Sequence, residues 1–318
     1  MLTYSFIIPV KPSGFVSAID SLRELAAEPE SFEILVAEGN SPSTQRNQAA
    51  QTATGDILYF LDDDSHIAPL NLQTCNSIMA DPSVAVVGGP SLAHDTDTRI
   101  QKLFHYALTS PFGSGGVRNR YRSIGQSREA TERELILCNL AVRRTVFIEA
   151  GGLDRRLYPN EENHLLDRIH HDGWKMMHHP AMFVRRSQRR NIRLFIRQMF
   201  AYGRGRAQQT MIAGPGPITS YIPLMFLIYL ALVPCVGFSV IFCAPALAYA
   251  ALALLFCIYG IATERSALAI FLLPLFPVMH ITNGLGLAWG FMCGKPSTSS
   301  RTTEVVIKRL KNFNQPTW

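Results

Sequence analysis

Ile57-Leu58-Tyr59-Phe60-Leu61-Asp62-Asp63-Asp64-Ser65 is an apolar, aromatic and branched run that ends abruptly in three carboxylates. It is short, has no helical period and follows the Gly55-Asp56 turn, so it reads as a buried strand. Three adjacent acids repel one another, and such a site is costly unless a cation sits there. Hard oxygen ligands suit Mg²⁺ or Mn²⁺, ions that usually carry substrate phosphates. The open end of a parallel strand is also where α/β folds bind ligands. The alternative is an Asp-rich loop that caps the next helix.

The flanking sequence builds the same picture. Tyr4 to Val10 reads as a first strand, ending at Pro9, and Phe32 to Glu38 as a second, stopped by Gly39-Asn40-Ser41-Pro42. Between them, Phe15 to Ala27 is helix-like, with Phe15, Ile19, Leu22 and Leu25 on one face. Ser43 can cap a helix carrying Arg46, Asn47 and Ala50. Beyond the acids, Pro69 to Ala80 reads as a helix and Val84 to Val87 as a strand before Gly88-Gly89-Pro90. Alternating strands and helices imply right-handed βαβ units and a mostly parallel sheet. Residues from about Ser91 to Glu134 break the pattern with Gly113-Ser114-Gly115-Gly116 and many arginines, which suggests a partly helical insertion with a mobile loop. Order returns at Glu134 to Asn139, followed by a helix around Arg144 to Ala150. Leu165, Leu166 and Ile169 form the apolar stripe of a further helix whose first turn holds Glu161 and Glu162. There they either serve chemistry or only complement the helix dipole, at about 0.3–1 kcal/mol each.

The last third has a different composition. Of the 318 residues 47% are hydrophobic, and the net charge is +6, yet from Tyr221 to Cys293 only Glu264 and Arg265 are charged. Tyr221 to Ala244, Ala246 to Ala262 and Ala267 to Cys293 each approach the roughly 20 residues that span a bilayer. Arg185 to Arg206 is basic with an interleaved apolar face, as expected of a helix in the headgroup layer just before a membrane segment. That proximity argues against the rival reading, nucleic-acid binding. Met1 to Val10 lacks a basic leader, so the first domain is expected to stay cytoplasmic in a multi-pass protein of the inner (plasma) membrane. Three crossings would place the basic tail from Lys295 outside, against the positive-inside rule; a re-entrant third segment, held by Pro274 and Pro277, would resolve this. The 6 scattered cysteines have no zinc or disulfide spacing. The expected organisation is an α/β domain over 1–186, a basic interfacial helix over 187–215, a membrane region over 216–294 and a basic tail over 295–318.

The stretches "SFIIPV", "EILVAEGNSPSTQRN", "ATGDILYFLDDDS", "CNLAVRRTVFIEAGGLD" and "NEENHLLDRI", in this order over roughly residues 4 to 186, resemble the family 2 glycosyltransferases. With the membrane tail, the chain is similar to succinoglycan-type exopolysaccharide enzymes. The resemblance implies a GT-A, Rossmann-like domain that binds a nucleotide-diphosphate sugar, with a UDP-sugar favoured. It implies that Pro9 and Val10 line the base pocket, that Glu38 contacts base or ribose where the family usually has Asp, and that Arg46 lies near the nucleotide. Asp62 and Asp64 would be the acids of the D-x-D motif, Asp63 its middle position, and Asp64 the direct ligand of Mg²⁺ or Mn²⁺. Glu162 takes the place of the family's base, with Glu161 a second candidate because the pair is Glu-Glu rather than Glu-Asp. Where the family often has a metal-contacting His, this chain has Arg185-Arg186, and neither His178 nor His179 is assigned as a ligand.

Some choices stay open at this stage. Arg204 and Arg206 are candidates for a diphosphate or lipid phosphate, against simple membrane anchoring. Tyr106, Phe112 and Tyr121 in the insertion are candidate sugar-stacking residues. The expected reaction is inverting, metal-dependent transfer to a lipid-linked glycan in cell-surface polysaccharide assembly. Alternatives are transfer to polyprenyl phosphate, or an inactive homologue that binds nucleotide or glycan.

Overall fold

The structure is a computed structural model that describes residues 2–25, 31–236, 240–297, 304–313 and 315. The three apolar runs near the start form β1 (Tyr4–Val10), β2 (Phe32–Glu38) and β3 (Ile57–Leu61), and every residue of β1 and β3 is buried. Tyr4 of β1 pairs with Phe32 on one side and Ile57 on the other, both in parallel register. The ends of these strands, and the acids after β3, therefore share one edge of the sheet.

The connections differ in places from the sequence reading. α1 (Ala18–Leu22) is shorter than the expected Phe15–Ala27 helix, and Phe15 is 81% exposed. The reason is tertiary: the Ala18 amide and the Ser17 hydroxyl both donate to the Asp63 carbonyl, which pins the helix start beneath the acids. Ala26 and Ala27 lie outside the described residues. In α2 (Pro42–Thr52) the N-cap is Ser41 rather than Ser43, because Pro42 fixes the first helical position.

Beyond β3 come β4 (His66–Ile67), α3 (Asn71–Met79), β5 (Val84–Gly88) and β6 (Ser91–Leu92). The insertion contains α4 (Arg99–Thr109), closed by a Thr98–Gln101 capping box, then α5 (Pro111–Ser114), a 3-10 turn over Gly115–Tyr121, and β7 (Arg128–Glu129). The next strand starts later than expected, as β8 (Asn139–Arg143), and leads into α6 (Arg144–Glu149), α7 (Glu161–His171), β9 (Lys175–His178) and β10 (Val184–Arg185). The main sheet has eight strands, in the order β11-β2-β1-β3-β8-β5-β9-β7, where β11 (Val306–Lys311) comes from the C-terminal tail. It is mixed, not mostly parallel. The insertion leaves and re-enters at the same edge, so β8 runs antiparallel to both of its neighbours, β3 and β5.

β11 pairs antiparallel with β2, Val306 opposite Glu38 and Ile307 opposite Ala37. Lys311 is fully buried; its ammonium donates to the Phe32 carbonyl at 2.7 Å and lies 4.2 Å from the centre of the Phe32 ring. No periodicity in the basic tail suggested this strand. The tail residues 298–303, 314 and 316–318, Arg301 among them, lie outside the described residues.

The basic stretch is split. β10 takes Arg185, and the helix, α8 (Ile192–Ala213), begins only after its N-cap Asn191. α9 (Ile222–Val236), α10 (Val240–Glu264) and α11 (Leu272–Met292) follow. Three segments, Ile218–Cys235, Phe242–Glu264 and Ala267–Met292, are long and apolar enough to cross a membrane, with mean hydropathies of 1.9, 2.0 and 1.7. They are covered unequally: none of the first, 11% of the second and 39% of the third is buried inside the protein. α11 owes its burial to α8. A Cβ on Gly203 would collide with the Asn283 carbonyl, and one on Gly286 with the Phe200 carbonyl, so only glycine lets the two backbones approach this closely.

Candidate active site

The acids after β3 are held in place by arginines from distant elements. Arg46, on α2, donates from Nη2 to Asp62 Oδ1 at 2.5 Å and reaches Glu161 Oε1 with Nη1 at 3.7 Å. This one buried guanidinium joins the strand-end acids to the first turn of α7. Arg186, just after β10, closes the other side: Nη2 lies 3.1 Å from Asp62 Oδ2 and Nε donates to Asp64 Oδ1 at 2.6 Å. Burial pushes the Asp62 carboxyl up, but the Arg186 and Arg46 guanidiniums outweigh it and hold the group below the usual carboxylate range. Asp63 lies between two like charges; burial, then Asp64 and Asp62, raise it.

The residues expected to take the base lie along the same edge. Pro9 and Val10 end β1, and the Val10 carbonyl accepts from the Gln45 amide at 2.8 Å. Glu38, at the end of β2, accepts from Lys308 Nζ at 2.6 Å and from the Ser13 amide at 2.8 Å. The Lys308 contact, then the Ser13 amide, hold Glu38 below its ordinary value. One of the anchors of this edge thus comes from β11.

The two glutamates of α7 have different surroundings. Glu161 is 3% exposed, and its Oε2 has no hydrogen-bond partner among the described residues. Burial first, and the neighbouring Glu162 second, push it up to about 8. Glu162 instead faces Arg120 Nη1 at 3.4 Å and lines a cavity of about 880 Å³. Arg120 is fixed in turn by the Arg133 carbonyl at 3.1 Å and by Asn163 Oδ1 at 2.5 Å. At its polar end the cavity is bounded by Glu162, Asn163 and Arg120, and at the other end by α9 and α10.

The other candidates fall as follows. Arg204 donates to the Tyr158 carbonyl at 3.0 Å, while Arg206 faces the cavity. Phe112 packs against the rings of Tyr249, Phe256, Phe276 and His280, Tyr121 is 5% exposed, and Tyr106 packs against the same apolar cluster. Tyr106 serves packing, because the insertion is seated on the apolar helices, whereas Phe112 and Tyr121 also line the cavity. His178 is fully buried on β9, with Nε2 3.2 Å from the Asn119 carbonyl, and takes no part in the site. Sequence reasoning missed the bridging role of Arg186 and the contact of Arg120 with Glu162. The first had a signal, an arginine where related chains carry a histidine; the second had none within an arginine-rich insertion.

The acid pair fits a divalent ion. Asp62 and Asp64 already bracket a positive guanidinium, and both present hard oxygen donors. Among the described residues no three His, Cys, Asp or Glu side chains converge as a complete metal cage. Two carboxylates with phosphate oxygens completing the sphere is how Mg²⁺-type sites usually work.

Residues 7–205 match the family model described as "Glycosyltransferase like family 2". No curated protein matches the chain. Among solved structures, the mannosyltransferase PcManGT from Pyrobaculum calidifontis, in complex with GDP-Man and Mn²⁺, superposes with a TM-score of 0.62 at 15% identity, covering 92% of this chain and 88% of that one. A fragment of S. aureus TarS gives 0.43 at 12% identity over 92% of both chains. GalNAc-T7 with UDP, GalNAc and Mn²⁺ gives 0.41 at 14% identity, over 58% of this chain and 44% of that one.

Proposed function

Because this chain belongs to the glycosyltransferase like family 2 and has the GT-A fold, we propose that it transfers one sugar from a nucleotide-diphosphate sugar, with inversion, to a lipid-linked acceptor at a membrane. The observation that carries this reading is the cavity at Glu162, which has this carboxylate at one end and apolar, membrane-type helices at the other. The place of such a step is the assembly of a cell-surface polysaccharide.

Each residue then has a task. Pro9, Val10 and Glu38 take the base and ribose, and Arg46 orders the site by joining Asp62 to Glu161. Asp62 and Asp64 would hold Mg²⁺ or Mn²⁺, with Asp64, the more exposed of the two, nearest the donor. When bound, the ion supplies positive charge against the departing diphosphate. Glu162 is the base: it lies beside Arg120 and lines the cavity, whereas Glu161 is buried and turned toward Arg46. Glu162 takes the proton of an acceptor hydroxyl as that oxygen attacks the anomeric carbon and the bond to the diphosphate breaks. Direct displacement by the acceptor oxygen, on the face opposite the departing diphosphate, turns an α-linked donor into a β-linked product.

The catalytic domain is assigned to the cytoplasmic side of the inner (plasma) membrane, with the apolar helices in the bilayer. Calorimetry on the detergent-purified chain tests the donor site, with UDP, GDP, CDP and dTDP, each with and without Mn²⁺. Binding of one diphosphate that needs the metal and is lost in Asp64→Asn is the expected result. No metal-linked binding of any of them would overturn the reading and leave an inactive homologue.

A further inference from the structure

The cavity at Glu162 has an unbalanced charge. Three arginines line it, Arg120, Arg133 and Arg206, against one carboxylate, Glu162. Arg120 is used up by Glu162, Asn163 and two backbone carbonyls. Arg133 makes one side-chain bond, Nη2 to Thr219 Oγ1 at 3.3 Å. Arg206 makes no side-chain hydrogen bond or ion pair among the described residues, although Glu132 and Asp167 lie within electrostatic reach. Burial, and then the facing Arg120, hold its guanidinium below the ordinary value, against the opposing pull of Glu132 and Asp167. Arg206 is half-buried and, although Glu132 and Asp167 act on it from a distance, has no direct partner among the described residues, a cost that an incoming anion would relieve.

Past the arginines the walls change character. Ile222 and Phe226 of α9, Ala248 and Leu252 of α10, and Met279 of α11 continue the cavity as apolar surface. The polar groups at this end are already satisfied: His280 sits 2.9 Å from Tyr249 Oη and 3.0 Å from the Phe112 carbonyl, and Asn283 donates to the Met199 carbonyl at 3.2 Å. Free cation donors at one end and a dry hydrocarbon wall at the other match one ligand chemistry, a phosphate on a long hydrocarbon chain. A free sugar phosphate would leave the apolar end unused.

We propose that Arg206, with Arg133, binds the phosphate of an acceptor lipid whose hydrocarbon chain lies between α9, α10 and α11. This inference rests on the transferase reading above and specifies the acceptor. The phosphate is seated beside Arg120, itself in contact with Glu162, so the lipid's head reaches the base directly. Both a lipid monophosphate and a sugar-bearing lipid diphosphate contain this chemistry.

The test uses the full chain in detergent, with farnesyl phosphate, farnesyl diphosphate, farnesol and inorganic phosphate as probes, and nucleotide binding measured in parallel. Farnesyl phosphate or diphosphate is expected to bind at least about tenfold more tightly than farnesol or inorganic phosphate, the scale of one charge-assisted contact. Which of the two is tighter separates the two lipid sources. Arg206→Gln is expected to remove most of that advantage, and Ala248→Trp, which fills the apolar end, to abolish binding of all the farnesyl probes. Both variants keep wild-type nucleotide affinity, which also shows that they are folded. Equal affinity for farnesol and its phosphate, or phosphate binding unchanged in Arg206→Gln, would overturn the proposal. Loss of nucleotide binding in the wild type would sink the transferase reading instead, and leaves the lipid measurement readable.

Discussion

Arg186 sits where two carboxylates would otherwise repel one another. It spans Asp62 and Asp64 from a position 122 residues beyond Asp64, and with Arg46 it balances most of the negative charge of the strand end. A divalent ion entering alone must compete with this guanidinium; one arriving with a diphosphate brings an anion for Arg186 to turn to. Mn²⁺ binding without nucleotide, followed by its paramagnetic resonance signal, is therefore expected to be weak in the wild type and roughly tenfold tighter in Arg186→Ala. Equal affinities would show that the guanidinium does not guard the site. The α7 pair separates by position: Glu162 lines the cavity and Glu161 is buried behind it. Glu162→Gln is expected to lower turnover by about 10²–10⁴-fold with little change in donor KM, the range for loss of a general base. Glu161→Gln, at a side chain that does not line the cavity, is expected to cost far less. The pH dependence of stability carries the same distinction. Burial, and then Glu162, raise Glu161 from its ordinary 4.5 to about 8 in the folded chain, so between those values the folded state holds a proton that the unfolded state has lost. Its contribution to stability is present below the lower value and is lost as pH rises through about 8. The melting temperature of Glu161→Gln, read against the wild type from pH 5 to 9, is expected to gain steadily over that window; parallel curves would contradict the assignment.

At the scale of elements, two contacts position the site from outside the sheet that the first strands build. β11 covers the β2 edge and delivers Lys308 to Glu38. An edge strand left open exposes unpaired amides and carbonyls, so this cover also protects the domain. A chain truncated before Glu304 is expected to aggregate more readily and to bind nucleotide more weakly; Lys308→Ala should keep the sheet and weaken nucleotide binding alone. Calorimetry and light scattering separate the two effects. The α8–α11 crossing depends on glycine. Gly286→Val drives a side chain into the Phe200 carbonyl and is expected to lower the melting temperature in detergent by several degrees, the scale of overpacking by about 1–3 kcal/mol.

For the whole molecule, the place of β11 bears on the membrane path proposed above. β11 is paired within the sheet that β1 and β2 begin, so with the apolar helices in a bilayer the chain would have to return to the side from which it left. An even number of crossings satisfies this, and three do not. α11 is the segment expected to stay on the near side: it packs along α8, is the most buried of the three, and contains Pro277. A fluorescent reporter that folds only in the cytoplasm, fused after Trp318, is expected to fluoresce. A periplasm-active phosphatase at the same point is expected to stay silent, and the opposite pattern would exclude a two-crossing path.

The sequence alone determined the first three strands, the acid-bearing edge, the α7 glutamates and the three apolar segments. Each of these is written within about a dozen neighbouring residues, as a run, a period or a turn, and local sterics and burial are enough to place them. Only the tertiary structure decided which charges meet. Arg186 on Asp64, Arg120 on Glu162 and Lys308 on Glu38 join residues 122, 42 and 270 positions apart, and no local pattern encodes a pairing at that distance. The same holds for the mixed sheet, since the direction of β8 depends on where a long insertion re-enters. It holds for the cavity as well, whose polar end comes from the catalytic domain and whose apolar end comes from helices that the sequence assigns only to a membrane.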